Sequence, residues 1–341
     1  MTSSARLHSG PRAALAAAAL ALATLALAAP ARAQFTLGDQ RAGTSSGSFL
    51  KIGVGARATG LGESFVAVAN DPTAIYWNPA GLASLLRNEV EFSHVSWPGD
   101  INYEHVAYVL PWKKIGGSLA FQVAALSTAM DETTELDPYG TGRQFVYSDF
   151  LAGAAYARRW TDKLLVGGGV KVLHEDLGSD VGGPTTTGTL FDVGGIYYLG
   201  LQSVRIAVSL TNFGSQLKPG GNWTSPTTGE VREYDGFDPP MMFRYGVALE
   251  PIETANQRLT TSIEIVLPAD NAQVAKMGVE WQWKKRLALR SGYNFNADAL
   301  KFSAGAGVYL PIASTLSTLD YAYTTGASLG GVNRLSLGVR F

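Results

Sequence analysis

The chain contains no cysteine. That one absence excludes disulfides, thiolate metal sites and cysteine nucleophiles. Charge is also sparse, with Asp, Glu, Lys and Arg making up 16% of the 341 residues, against ~25% in an average soluble domain. The 27 basic residues are matched by 28 acidic ones. No basic excess exists to neutralise phosphates, so nucleic acid is not an expected partner. Beyond residue 33 no stretch approaches the ~20 continuous apolar residues that a spanning helix needs. No Ser-His-Asp set, glycine-rich phosphate cradle or paired-carboxylate cleft stands out, so neither an enzyme nor a cofactor is expected.

What is present is glycine and alternation. Gly accounts for 39 residues, about 11%, where ~7% is usual. Hydrophobic residues, at 46%, are too many for a disordered chain. The first residues read as a cleaved signal peptide, 1–33. Arg6 and Arg12 form a positive start, an Ala/Leu run follows, and Ala31-Arg32-Ala33 is a small-x-small cleavage site.

From residue 88 onward the pattern has period two. Phe243, Tyr245, Val247 and Leu249 alternate with Arg244, Gly246, Ala248 and Glu250; Leu335, Leu337, Val339 and Phe341 alternate with Arg334, Ser336, Gly338 and Arg340. Successive strand side chains point to opposite faces, so each such segment has one apolar and one polar or small face. Fourteen segments of this kind start near residues 88, 103, 115, 148, 164, 188, 203, 242, 258, 274, 287, 301, 315 and 333. Most run 8–11 residues, the length of a tilted membrane strand. Short turns alternate with longer loops, among them 127–147, 174–187 and 213–241. That sorting is the outer-membrane barrel pattern. Trp112, Trp160, Tyr198, Trp283, Tyr309 and Phe341 near the short turns, with Trp97, Tyr103, Tyr147, Tyr293 and Tyr323 near the loops, read as two aromatic girdles. Lipid offers no hydrogen-bond partners, so the sheet must close. The expected fold is all-β: a fourteen-stranded antiparallel transmembrane barrel, 88–341, in the bacterial outer membrane.

Residues 34–87 do not alternate. Asp71-Pro72 and Asn78-Pro79 each place a capping residue before Pro, which predicts two helix starts. The run Val54-Gly55-Ala56-Arg57-Ala58-Thr59-Gly60-Leu61-Gly62-Glu63-Ser64-Phe65, then Val68-Ala69-Asn70-Asp71-Pro72 and Tyr76-Trp77-Asn78-Pro79-Ala80-Gly81-Leu82, resembles the N-terminal signature of the PorV/PorQ family. That family is a branch of the FadL-like barrels, with which it shares the Asn-Pro-Ala-Gly core. The resemblance implies that 34–87 folds inside the barrel as a plug or hatch. Its core would be Asp71, Pro72, Asn78, Pro79, Ala80 and Gly81. It also implies one of two functions: a type IX secretion adaptor whose partners are secreted cargo or secretion subunits, or a passive transporter of hydrophobic small molecules. On the residues alone, Asn78 is equally a plain turn cap. Phe341, closing an aromatic final strand, resembles the signal read by the barrel-insertion machinery.

Three further groups are candidates. Alternation places Lys171, Asp192, Arg205, Arg244, Glu264, Lys276, Glu280, Arg290, Asp320, Arg334 and Arg340 in the lumen. Unpaired charges are costly there, which predicts ladders such as Glu280 with Arg290. The loop 213–241 carries Trp223, Tyr234, Phe237, Met241 and Met242, either a binding surface for partner or ligand or an inward-folded lid. His174-Glu175-Asp176 reads as a solvated loop end, not a metal site. The acidic runs Asp131, Glu132, Glu135, Asp137 and Glu230, Glu233, Asp235, Asp238 lack Ca²⁺-loop spacing. No metal site is expected.

Overall fold

The computed structural model describes residues 42–341, apart from 135–136, 226, 298 and 327–329. The expected signal peptide and residues 34–41 lie outside the described residues. Fourteen strands form a closed antiparallel barrel: β1 Glu89–Trp97, β2 Ile101–Trp112, β3 Gly117–Asp131, β4 Gln144–Arg159, β5 Leu164–Asp176, β6 Thr185–Tyr198, β7 Arg205–Gly214, β10 Met242–Glu253, β11 Gln257–Pro268, β12 Val274–Trp283, β13 Leu287–Phe295, β14 Phe302–Ile312, β15 Thr315–Thr324 and β16 Val332–Arg340. Each pairs with its neighbour in sequence, and β1 pairs with β16, so no edge is left free. β8, Asn222–Thr224, and β9, Val231–Glu233, form a separate hairpin within the loop between β7 and β10. Its two three-residue strands are too short to show as alternation.

β3 to β6 run 13 to 16 residues, longer than the alternation alone suggested. The corresponding loops therefore shrink to 132–143 and 177–184. The barrel wears its apolar face outward. Phe121, Ile263, Leu289 and Leu337 are among the exposed large side chains, between 47% and 56% accessible. In water such a belt would be a severe liability; against lipid it is the stabilising surface. The architecture is that of a bacterial outer-membrane barrel.

The inward face is polar, and it touches residues 46–85. The short helix Ala56–Gly60 contacts β13 to β16, while the 3₁₀ turn Pro79–Ser84 contacts β3 to β6. Elements on opposite sides of the wall thus enclose one inner segment. Its centre is apolar and fully buried: Trp77, Phe65, Leu61, Leu82 and Val54.

The two predicted helix starts behave differently. Asn78 caps the Pro79–Ser84 turn, its side chain accepting from the Ala80 amide. Asp71 instead accepts from the Thr73 amide and hydroxyl, and the helix begins two residues later, at Ala74. The aromatic girdles also need correction. Tyr103 points inward and packs edge-on against Phe49, with ring centroids 6.2 Å apart. Tyr309 accepts from Arg290 in the lumen, and Trp97 stacks under Arg334. Trp112, Trp160, Trp283, Tyr293 and Tyr323 do face outward.

Candidate functional site: the lumen and its inner segment

The inner segment can approach the wall because the wall is bare where they meet. A Cβ at Gly292 would overlap the Gly62 backbone, one at Gly194 would strike Asn78 Oδ1, and one at Gly167 would lie 2.5 Å from the Pro79 carbonyl carbon. Much of the glycine excess is therefore contact surface: strand positions without side chains receive the backbone of the segment.

Neutral hydrogen bonds complete the fit along β6 and β7. Asn78 Nδ2 donates to the Val66 carbonyl at 2.9 Å and to the Gly195 carbonyl of β6 at 3.4 Å. Asn78 is thus both a cap and a tie between segment and wall. Ser209 donates to the Trp77 carbonyl at 3.0 Å. Gly81 packs directly on Ala69, leaving no room for a side chain.

Along β12 to β16 charge is added to the backbone contacts. Arg57 of the segment makes a bidentate pair with Glu280, both contacts at 3.0 Å. Glu280 and Arg290 face each other in register on β12 and β13, 2.7 Å apart. Arg290 also reaches Asp320 at 2.6 Å, two strands away on β15. It can do so because Gly307, between them on β14, carries no side chain. Lys276 pairs with Glu63 at 2.7 Å, and Arg334 lies 3.8 Å from the same carboxylate.

The remaining ladder residues are also engaged, and all but the half-exposed Arg340 are buried. Glu264 accepts from the Phe65 and Val66 amides, both at 2.8 Å. Arg244 lies 3.8 Å from Glu264 and covers the rings of Tyr76 and Trp77. Lys171 pairs with Asp192 at 2.8 Å. Arg205 makes a bidentate pair with Glu250. Arg340 pairs with Glu89 at 2.6 Å. Sequence reasoning missed Arg57, Glu63, Glu89, Glu91 and Glu250 as lumen charges. Glu89 and Glu91 alternate with outward Phe92, a signal that was readable; Arg57 and Glu63 lie in a stretch without period.

Glu175 is not a solvated loop residue. It is buried and accepts from Ser46 Oγ at 2.6 Å and the Gly47 amide at 2.8 Å. His174 beside it is exposed and meets Thr187. Among the described residues no group of three or more His, Asp or Glu could hold a metal ion.

The long loop divides. Trp223, Phe237 and Met241 are exposed and Tyr234 is half-buried. Met242 is a correction: it begins β10 and points inward, its sulfur 3.4 Å from Arg244. The loop base is tied to the start of the inner segment, where Ser46 donates to the Asp238 carbonyl at 3.2 Å and Ser45 bridges Asp238. Within the loop, the Lys218 side chain hydrogen-bonds Glu233 and holds that exposed carboxyl below its ordinary range. Phe341 lies just past β16, half-exposed, its amide donating to the Asn88 carbonyl at 2.9 Å.

Two adjoining cavities open at the short-turn end, of about 440 Å³ and 710 Å³. Both are lined by Asn70, Glu89, Glu253, Arg258, Leu316 and Arg340.

This geometry has relatives. The family described as "Uncharacterised protein family (UPF0164)" matches residues 22–183, just under half of the chain. No curated protein matches significantly. Among solved structures, the Pseudomonas putida toluene transporter TodX is similar over 84% of this chain and 97% of its own, at 14% identity and a TM-score of 0.56. The Ralstonia pickettii toluene transporter TbuX matches 84% and 97%, at 12% identity and a TM-score of 0.54. The CymD monoaromatic hydrocarbon channel matches 84% and 96%, again at 12% and 0.54. At identities this low the likeness is one of fold alone.

Proposed function

We propose that this barrel is a passive transporter of hydrophobic small molecules across the outer membrane. One observation carries the reading. A closed fourteen-stranded wall encloses a short, helix-broken inner segment, in a fold shared with the toluene transporter TodX and the hydrocarbon channel CymD. In this reading residues 34–87 act as the plug, with Asp71, Pro72, Asn78, Pro79, Ala80 and Gly81 at its core. The lumen ladder of Lys171, Asp192, Arg244, Glu264, Glu280, Arg290, Asp320 and Arg334 holds it in place. Phe341 serves as the insertion signal. The reading calls for no catalysis and no cofactor.

The test is uptake of a labelled apolar probe, toluene or oleate, by cells that lack their own channel. Uptake should rise with expression of the folded chain, monitored by heat-modifiable gel migration. Unchanged uptake with the protein folded overturns the reading.

The exposed aromatics of the β8–β9 loop favour a second reading, an adaptor of type IX secretion in the PorV/PorQ manner. Its support is that surface and the N-terminal signature; the fold comparisons add nothing to it. Deleting residues 220–238 should then impair release of secreted cargo while leaving the barrel folded. Unimpaired release excludes it.

A further inference from the structure

One carboxylate in the lumen has no partner. Glu91, on β1, is 8% accessible and lines the 440 Å³ cavity at the short-turn end. It makes no hydrogen bond or ion pair among the described residues. Every other buried acid around it is engaged. Glu89 is held by Arg340, Glu280 by Arg57 and Arg290, Asp71 by Arg57 and Thr73, and Asp320 by Arg290.

The cavity carries more acid than base. Asp71, Glu89, Glu91, Glu253, Glu280 and Asp320 line it against Arg57, Arg258, Lys285 and Arg340, with Arg290 bound to Glu280 and Asp320 behind them. The carboxylates exceed the cations by one, and the buried one without a partner is Glu91. Burying an unpaired charge is costly, and an oppositely charged occupant offsets that cost. The 440 Å³ cavity that Glu91 lines leaves room for one. Gly338 stands opposite Glu91 in register on β16, and the Thr318 side chain of β15 fills the space over that glycine.

We propose that this cavity binds a small organic cation, with Glu91 as the anionic anchor and Asp320 and Asp71 as supporting charges. The occupant is an amine or diamine and not a bare metal ion. The cavity holds far more than one ion, and no described set of three carboxylate or imidazole ligands is arranged for a metal. An anionic ligand such as a fatty acid carboxylate is repelled from the same place. The inference is independent of transport of apolar molecules, because it concerns a charged cavity and is read by binding.

The experiment is calorimetric titration of the full-length protein, purified in detergent, with 1,4-diaminobutane as probe. Saturable binding is expected, weakened at least tenfold in Glu91→Gln and unchanged in Glu104→Gln, a substitution at a half-buried acid that pairs with His94 outside this cavity. Heat-modifiable migration of each variant verifies its fold. Equimolar MgCl₂ should not displace the diamine. Three results each overturn the proposal: no saturable binding to the parent protein, equal affinity in Glu91→Gln, or displacement by equimolar Mg²⁺, which would make the site a metal site.

Discussion

The two sides of the lumen hold the same segment by different chemistry. Along β3 to β7 glycines at 167 and 194 clear the space, Asn78 and Ser209 make uncharged hydrogen bonds, and Glu175 and Arg205 meet only uncharged groups of the segment, at Ser46, Gly47 and Ala67. Along β12 to β16 glycines again admit the backbone, Gly292 at Gly62 and Gly305 at Gly60, and ion pairs are added, Arg57 on Glu280 and Glu63 with Lys276. The neutral side fits by shape, and its tolerance is set by fractions of an ångström. The charged side adds a second condition, that every charge keeps a partner. The 440 Å³ cavity at the short-turn end reaches that side, where Arg57, Glu280 and Asp320 line it.

This contrast can be broken from either side. The largest effect is expected from Glu280→Ala, which removes the carboxylate that Arg57 and Arg290 share and leaves each with one remaining acid, Asp71 and Asp320. Loss of one partner of a buried pair typically costs ~3–5 kcal/mol, read as a shift in urea-induced unfolding in detergent. Glu280→Ala combined with Arg57→Ala should recover part of that loss, and no recovery would mean that the pair is not coupled. Next comes Gly292→Ala or Gly194→Ala on the backbone contacts, where overpacking costs about 1–3 kcal/mol. If either substitution is neutral by the same assay, the close approach of segment and wall is wrong. Asn78→Ala follows, at about 1–2 kcal/mol, for loss of the cap and the tie to β6. The smallest effect belongs outside the lumen. Glu233→Gln breaks an exposed pair with Lys218 and should leave the midpoint unchanged.

The strands were legible because a lipid-facing wall imposes period two on the sequence, as in Arg334 to Phe341. The same pattern names which residues face inward, which is why Lys171, Glu280 and Arg290 could be assigned to the lumen. It does not name who stands opposite. Glu63 and Lys276 are 213 positions apart and meet only through closure of the barrel. Tyr103 and Met242 were misplaced for a related reason. Each sits at a strand end, where a one-residue error in the boundary moves a side chain to the other face. The glycine excess was visible, but its meaning was not, since the backbone that each glycine admits lies in a stretch with no period. Glu175 was hidden likewise: its partners, Ser46 and Gly47, come from the inner segment.

The central claim is that residues 54–82 are packed inside the barrel and fastened to both sides of its wall. Amide hydrogen exchange of the full-length protein in detergent tests it most directly. The Phe65 and Val66 amides, which donate to Glu264, should exchange as slowly as the strand amides of β11. Exchange at the rate of an unstructured peptide at those positions would contradict the account.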